Sequence, residues 1–261
     1  MIKRRLIPVL YIKNGLIVRS EGFSYHHNIG NVVKEAARYN SWDVDELIYI
    51  DISREKHYDL RRDDYNVNAY NSIGSIIKEI SKVCFMPLTF GGGIRTIDDV
   101  SFRIQNGADK ITLNTGALEN PKLITQAAER YGSQAVVISI DYKIIENQPI
   151  VFTDFGQKNT SKSVYNWVKE CENLGAGEIF INSIDRDGKA NGYDIETINK
   201  TVASTKLPTI ACGGAGNLED FVELAKQTNV SAVAAGNIFH FTELSYPRSK
   251  ILLKKNNLNF R

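Results

Sequence analysis

The chain repeats itself, and that repeat limits its architecture more than any other feature. Pro-Leu-Thr-Phe-Gly-Gly-Gly-Ile-Arg-Thr-Ile-Asp-Asp-Val (87–100) parallels Pro-Thr-Ile-Ala-Cys-Gly-Gly-Ala-Gly-Asn-Leu-Glu-Asp-Phe (208–221). Asp-Glu-Leu-Ile-Tyr-Ile-Asp (45–51) likewise parallels Gly-Glu-Ile-Phe-Ile-Asn-Ser (177–183). Many short copies would point to a solenoid, but here there are only two, each of roughly 120–130 residues. Each copy holds four short apolar runs separated by amphipathic segments. Strands are expected near Leu6–Ile12, Glu46–Asp51, Met86–Phe90, Lys110–Leu113, Ala135–Asp141, Glu178–Asn182, Pro208–Cys212 and Ala232–Ala235. Several are apolar on consecutive residues, as parallel strands buried on both faces are. Helices are expected at Pro121–Tyr131, opened by an Asn cap and a proline in the first turn, and at Ser163–Leu174. Eight β–α units with right-handed crossovers wrap a parallel sheet onto itself. The expected fold is therefore α/β, a (β/α)8 TIM barrel of two half-barrel repeats forming one domain over residues 1–261. An open doubly wound sheet is the alternative, and the twofold repeat weighs against it. The polar stretch Ser53–Ser72, with Arg54, Glu55, Lys56, Arg61, Arg62, Asp63 and Asp64, is expected to be a long loop after the second strand.

Composition excludes several classes of function. The 43% hydrophobic and 24% charged residues are ordinary for a globular chain able to bury a large core without disulfides. A net charge of +2, with Lys and Arg spread along the chain, gives no case for nucleic acid. Cys84, Cys171 and Cys212 form no metal-like spacing, and an odd, unpaired count fits a reducing cytoplasm. The start imitates a signal peptide, but its apolar run is short and Lys13 and Asn14 stand where cleavage would occur. No stretch is long enough to cross a membrane. His26, His27, His57 and His240 have no partner at metal-ligand spacing and read as solvated loop residues, so neither a metal nor a cofactor is expected. The hydrolase, P-loop and zincin signatures are absent.

The candidate chemistry lies at strand ends. Gly92-Gly93 and Gly213-Gly214 each follow a strand and precede a helix. Glycine there lets backbone N–H groups approach an anion, and the helix start favours negative charge. One unit later stand Asn114-Thr115 and Gly236-Asn237. A single glycine pair is equally explained by a tight turn. Two pairs in register read as paired phosphate sites on opposite sides of a barrel mouth. Asp141 closes the apolar fifth strand, where it is either a general acid or base or a salt-bridged cap. Its repeat equivalent is Tyr11, and Asp51 is a further mouth carboxylate. Arg5, Glu46, Lys110 and Glu178 begin strands and converge at the opposite end, where spacing alone favours an ion-pair ring that seals the core.

These runs together resemble the cyclase subunit of imidazole glycerol phosphate synthase, from Lys3 to about Phe241. The most specific pieces are Thr-Phe-Gly-Gly-Gly-Ile-Arg (89–95), Gly-Ala-Asp-Lys-Ile-Thr-Leu-Asn-Thr (107–115), Tyr-Gly-Ser-Gln-Ala-Val-Val (131–137), Asn-Ser-Ile-Asp-Arg-Asp-Gly (182–188) and Ala-Cys-Gly-Gly-Ala-Gly (211–216). The resemblance implies a glutaminase partner docked on the barrel's bottom, where Asp109 matches a docking-face carboxylate. Ammonia would pass through the barrel to a bisphosphorylated substrate. The resemblance also makes Arg5, Glu46, Lys110 and Glu178 an ammonia gate, and adds Asp187 and Gly188 to the substrate-binding glycine-loop residues. It implies two catalytic aspartates: Asp141 matches one, and Tyr11 stands in place of the other. A phenol with a pKa near 10 cannot act as a base at neutral pH.

Tyr11, the long loop after Asp51, Cys84-Phe85-Met86-Pro87 and Val-Ser-Ala-Val-Ala-Ala-Gly (230–236) resemble a divergent branch, the glycosyl-amidation-associated proteins encoded with surface-polysaccharide genes. The leading expectation is thus an ammonia-conducting barrel subunit that serves a separate sugar amidotransferase. The alternatives are a working cyclase of histidine biosynthesis carried by Asp141, and a non-catalytic scaffold that activates its glutaminase.

Overall fold

A computed structural model describes residues 3–54, 58, 70 and 72–261. Of the loop expected at 53–72, only Ser53, Arg54, Tyr58, Tyr70 and Ser72 are among them, and His57 lies outside the described residues with the remainder. The strands in chain order are β1 (Arg5–Lys13), β2 (Leu16–Glu21), β3 (Tyr25–Asn31), β4 (Leu47–Asp51), β5 (Leu88–Gly91), β6 (Lys110–Leu113), β7 (Val136–Ile145), β8 (Gln148–Thr153), β9 (Lys158–Ser163), β10 (Glu178–Ser183), β11 (Thr209–Cys212) and β12 (Ala232–Ala235). Eight of them pair in parallel around a closed ring: β1 with β4, then β5, β6, β7, β10, β11 and β12, which returns to β1. Helices surround the ring, as in a (β/α)8 barrel.

Side-chain alternation divides β1 between two cores. Leu6, Leu10 and Ile12 pack outward against the helices, while Ile7, Val9 and Tyr11 belong to a smaller apolar cluster with Ile48, Val137, Phe180 and Ile210 inside the ring. The helix expected at Pro121–Tyr131 runs Lys122–Tyr131, with Pro121 as its N-terminal flank and no side-chain cap. The helix expected at Ser163–Leu174 runs Val164–Asn173. Among the described residues, no helix is long and apolar enough to cross a membrane.

The twofold repeat extends beyond the ring. β1 continues into an antiparallel ribbon with β2 and β3, and β7 does the same with β8 and β9. Both ribbons leave the C-terminal ends of their barrel strands, the mouth that carries the site. Sequence reading placed His26 and His27 in a loop; they lie in β3. His240, read as solvated, is instead largely buried beside Glu35 and Arg38, and burial pushes its pKa down to about 4.

Candidate functional site

Four charges close the floor of the ring. Arg5 Nη1 lies 2.5 Å from Glu46 Oε2, and Arg5 Nη2 reaches Glu178 Oε1. Lys110 Nζ lies 2.9 Å from Glu46 Oε1 and 3.1 Å from Glu178 Oε2. Every carboxylate oxygen of the pair therefore holds a cation, and the Thr89 hydroxyl donates a further bond to Glu46 at 3.0 Å. Arg5, Glu46 and Glu178 are buried. Burial alone would raise the Glu46 pKa, but the Arg5 and Lys110 charges outweigh it and hold the carboxyl below its usual range. This ring lies across the N-terminal end of the barrel interior, below the apolar cluster that fills it. Asp109, at the same end, accepts the Leu88 N–H at 2.8 Å and lines a cleft with Phe85, a residue 81% exposed.

At the mouth, a cavity of about 970 Å³ gathers Tyr11, Gly92, Gly93, Asn114, Thr115, Asp141 and Asn182. Asp141 and Asn182 face each other across the β7–β10 register. Asn114 Nδ2 donates to Asp141 Oδ2 at 2.5 Å, and Asn182 Nδ2 approaches Asp141 Oδ1 at 3.4 Å. Burial pushes the Asp141 carboxyl up to about 7, against the pull of these two bonds and with help from the nearby Asp187 charge. It is therefore poised to exchange a proton near neutral pH. The same Asn182 amide lies 3.4 Å from the Tyr11 hydroxyl. Tyr11 is buried, and burial with the neighbouring acidic groups of Cys212, Asp187 and Asp141 drives its pKa well above 10, so it stays a protonated phenol. The side-chain Oδ1 atoms of Asn114 and Asn182 are buried without a partner among the described residues. Asp51 is already engaged, accepting from Ser53 N at 2.9 Å and from the Tyr58 hydroxyl at 2.7 Å.

The glycine pairs adopt matching backbone. Gly92 and Gly213 both have φ of +96°, and Gly93 and Gly214 are also left-handed at +63° and +107°. Gly92 packs so tightly on the Asp51 carbonyl oxygen that a Cβ would sit 2.0 Å from it, and Gly213 packs on the Ser183 carbonyl oxygen, 2.8 Å from such a Cβ. Asp51 and Ser183 are repeat equivalents, so one turn is built twice. The surroundings differ. The first-half set, Gly92, Gly93, Asn114 and Thr115, lines the cavity with Asp141; Asp187, Gly188, Gly213, Gly214, Gly236 and Asn237 do not. The β2–β3 ribbon covers part of that second set. Ser20 Oγ donates to Asp187 Oδ2 at 2.8 Å, Gly22 N donates to the Asp187 carbonyl at 3.1 Å, and Asn237 Nδ2 donates to the Ser20 carbonyl at 2.6 Å. Gly236 lies against the Tyr11 ring, 3.7 Å from a Cβ built on it.

Sequence reading missed Asn182, Tyr58 and Arg103. Asn182 opens the run Asn-Ser-Ile-Asp-Arg-Asp-Gly (182–188), and its place one residue from the end of β10, opposite Asp141, was the available signal. Tyr58 lay in a polar run with no periodicity. Arg103 occupies an amphipathic helix, Ile97–Gln105, where an arginine reads as solvated although it is 7% exposed.

A family model described as histidine biosynthesis protein matches residues 5–245. The chain is similar over its full length to imidazole glycerol phosphate synthase subunits HisF. It is 41% identical over 264 residues to that of Staphylococcus saprophyticus, 38% over 262 to that of Hydrogenobaculum sp. and 40% over 261 to that of Sulfurisphaera tokodaii, and each comparison covers 100% of both chains.

Proposed function

Because the chain belongs to the histidine biosynthesis protein family, we propose that it is the barrel subunit of an imidazole-glycerol-phosphate-synthase-type pair, receiving ammonia from a glutaminase. The glutaminase docks on the face that carries Asp109 and Phe85. The ring of Arg5, Glu46, Lys110 and Glu178 is the gate, and the lumen above it is the conduit. Asp141 is the observation that carries the reading: a half-buried carboxyl near pKa 7, held by two asparagines, stands in the wall of the mouth cavity at the end of its barrel strand. In its ionised form it takes a proton from the attacking nitrogen or substrate, and it returns the proton to a leaving group. Phosphate groups of the substrate bind at Gly92-Gly93 with Asn114-Thr115, and at Asp187-Gly188, Gly213-Gly214 and Gly236-Asn237 once the β2–β3 ribbon moves aside.

The similarity to cyclase subunits favours a bisphosphorylated substrate of histidine biosynthesis over the sugar-amidation role expected from the sequence. One observation favours the sugar role: Tyr11, a protonated phenol, fills the place of the second carboxylate. In that reading the same gate and conduit deliver ammonia to a separate sugar amidotransferase of surface-polysaccharide synthesis. The deciding experiment mixes the chain with a glutaminase subunit, follows complex formation and glutamine hydrolysis, and measures cyclase turnover with free ammonium in excess. A complex with turnover supports the cyclase reading, and a complex without turnover favours the sugar role. No complex and no activation removes both.

A further inference from the structure

The two glycine turns share their backbone, and each has an arginine beside it, but Arg186 at the second turn spends its guanidinium on the Asn191 and Gly192 carbonyls at 3.1 and 3.0 Å. Arg103 is buried on helix Ile97–Gln105, and its guanidinium lies in the wall of the mouth cavity. Its Nη2 donates to the Gly92 carbonyl at 3.0 Å and would lie 3.7 Å from a Cβ at Gly93. Its Nε is buried with no hydrogen-bond partner among the described residues. Asp51 and Asp99 act on it at longer range, yet neither pairs with it among the described residues. Asp51 is occupied by Ser53 and Tyr58, and Asp99 caps the backbone of Arg95 and Thr96. A buried guanidinium without an anion is costly, and its planar fork matches a phosphate or carboxylate oxygen pair. In the second half the repeat-equivalent residue is Leu224, fully buried and apolar.

We propose that Arg103 is the cation of an anion site at the Gly92-Gly93 turn, and that it makes the first-half end of the cavity the one that takes a dianionic phosphate monoester. The second-half turn, whose neighbouring Arg186 is bonded to backbone carbonyls and does not line the cavity, holds its phosphate through backbone N–H groups and neutral side chains and holds it more weakly. This rests on the reading that the cavity takes a phosphorylated substrate. It adds to that reading which end anchors first and through which side chain.

The test is calorimetric titration of the full chain with inorganic phosphate, repeated for Arg103→Leu, Arg103→Gln and Arg103→Lys. Leucine is the residue the other half already accommodates, and glutamine keeps a polar group of similar reach should leucine fail to fold. Thermal melts identify the folded variants. Millimolar binding by the native chain is expected. It should weaken about tenfold or more in Arg103→Leu or Arg103→Gln and stay within about threefold in Arg103→Lys, since a charge-assisted bond is roughly twice as strong as a neutral one. Unchanged affinity in a folded leucine or glutamine variant overturns the role of Arg103 and leaves the phosphate reading standing. Absence of phosphate binding by the native chain overturns both.

Discussion

The two halves of the barrel have the same backbone but different charges. Each half begins with a long strand that runs out into a two-stranded ribbon, and each carries a left-handed glycine turn packed on the strand before it. Glu46 and Glu178 occupy equivalent places in the repeat and both reach the floor ring. Both cations of that ring, Arg5 and Lys110, come from the first half; β1 pairs Arg5 with Ala232, which stands at the register position of Lys110 in the second half. At the mouth the asymmetry reverses: the titrating carboxylate, Asp141, is in the second half, and its equivalent is Tyr11. Duplication thus kept what the backbone needs, glycines and strand pairing, because a Cβ at Gly92 or Gly213 collides with backbone. Side chains facing the lumen are free of that constraint and answer only to charge balance and chemistry. Two glutamates need two cations, and four would leave an uncompensated buried charge.

The largest expected effect comes from removing the carboxylate of the second half. Asp141→Asn should cut ammonia-dependent turnover by about 10²–10⁴-fold, the range for one general acid–base group, while glutamine hydrolysis by the partner is unchanged. Native turnover should rise with pH through about 7, as the base form of Asp141 fills. Stability should move the opposite way. A carboxyl whose folded pKa is raised adds stability that is complete below its unfolded value near 4 and is lost as pH climbs through about 7. Relative to Asp141→Asn, the native chain should therefore lose up to roughly 4 kcal/mol between pH 4 and pH 8, about three pK units. Denaturant melts at the two pH values check this, and a pH-independent gap would show that Asp141 is solvated.

At the floor, the halves can be compared directly through Glu46→Gln and Glu178→Gln. Each leaves two cations sharing one carboxylate and should cost about 3 kcal/mol, the lower bound for breaking a buried pair. Glu46 also accepts the Thr89 hydroxyl, so its variant should be the less stable by about 0.5–1 kcal/mol. Because Glu46 has a lowered pKa, its contribution is present above its unfolded value near 4.3 and fades as pH falls through the folded one. The penalty of Glu46→Gln should accordingly shrink in acid. Equal melting curves for the two variants at neutral pH would make the ring symmetric in energy as well as in position.

What the sequence made legible follows the same division. Repeated glycines and consecutive apolar runs located all eight barrel strands, and Lys110–Leu113 and Ala232–Ala235 match to the residue. The ribbons were missed because strands such as Lys158–Ser163 carry no apolar face; they are held by backbone pairing to β8 and not by a core. The floor ring was legible because four charges at strand starts can only converge in a closed barrel. The covering of the second glycine set by Ser20, Gly22 and Phe23 was not, since those contacts join the first half of the chain to residues more than 160 positions away. Asp51 was expected as a further mouth carboxylate, either acid–base or paired; Tyr58, from a segment with no periodicity, is the partner that engages it.

The smallest effect concerns Tyr11 itself. Its hydroxyl meets Asn182 at 3.4 Å, a long contact, and Asn182 in turn approaches Asp141. Tyr11→Phe removes only that contact and should cost about 1 kcal/mol or less in stability. If Tyr11 merely fills the first-half corner of the mouth, turnover should change less than about threefold and the kinetic pKa near 7 should stay in place. If the phenol tunes Asp141 through Asn182, freeing the Asn182 amide from Tyr11 lets it bond Asp141 more closely, which lowers the carboxyl pKa and shifts the pH profile toward acid. Tyr11→Asp is the companion experiment. It restores a carboxylate on each side of the mouth, and like charges in one buried site force their titrations apart, so the single kinetic pKa should become two. The new pair should also raise cyclase turnover, because the second proton transfer gains a group able to ionise near neutral pH, which a buried phenol is not. Turnover that is already robust with Tyr11 and falls in Tyr11→Asp would mean that the two mouth corners have distinct tasks and that the tyrosine belongs to the chemistry.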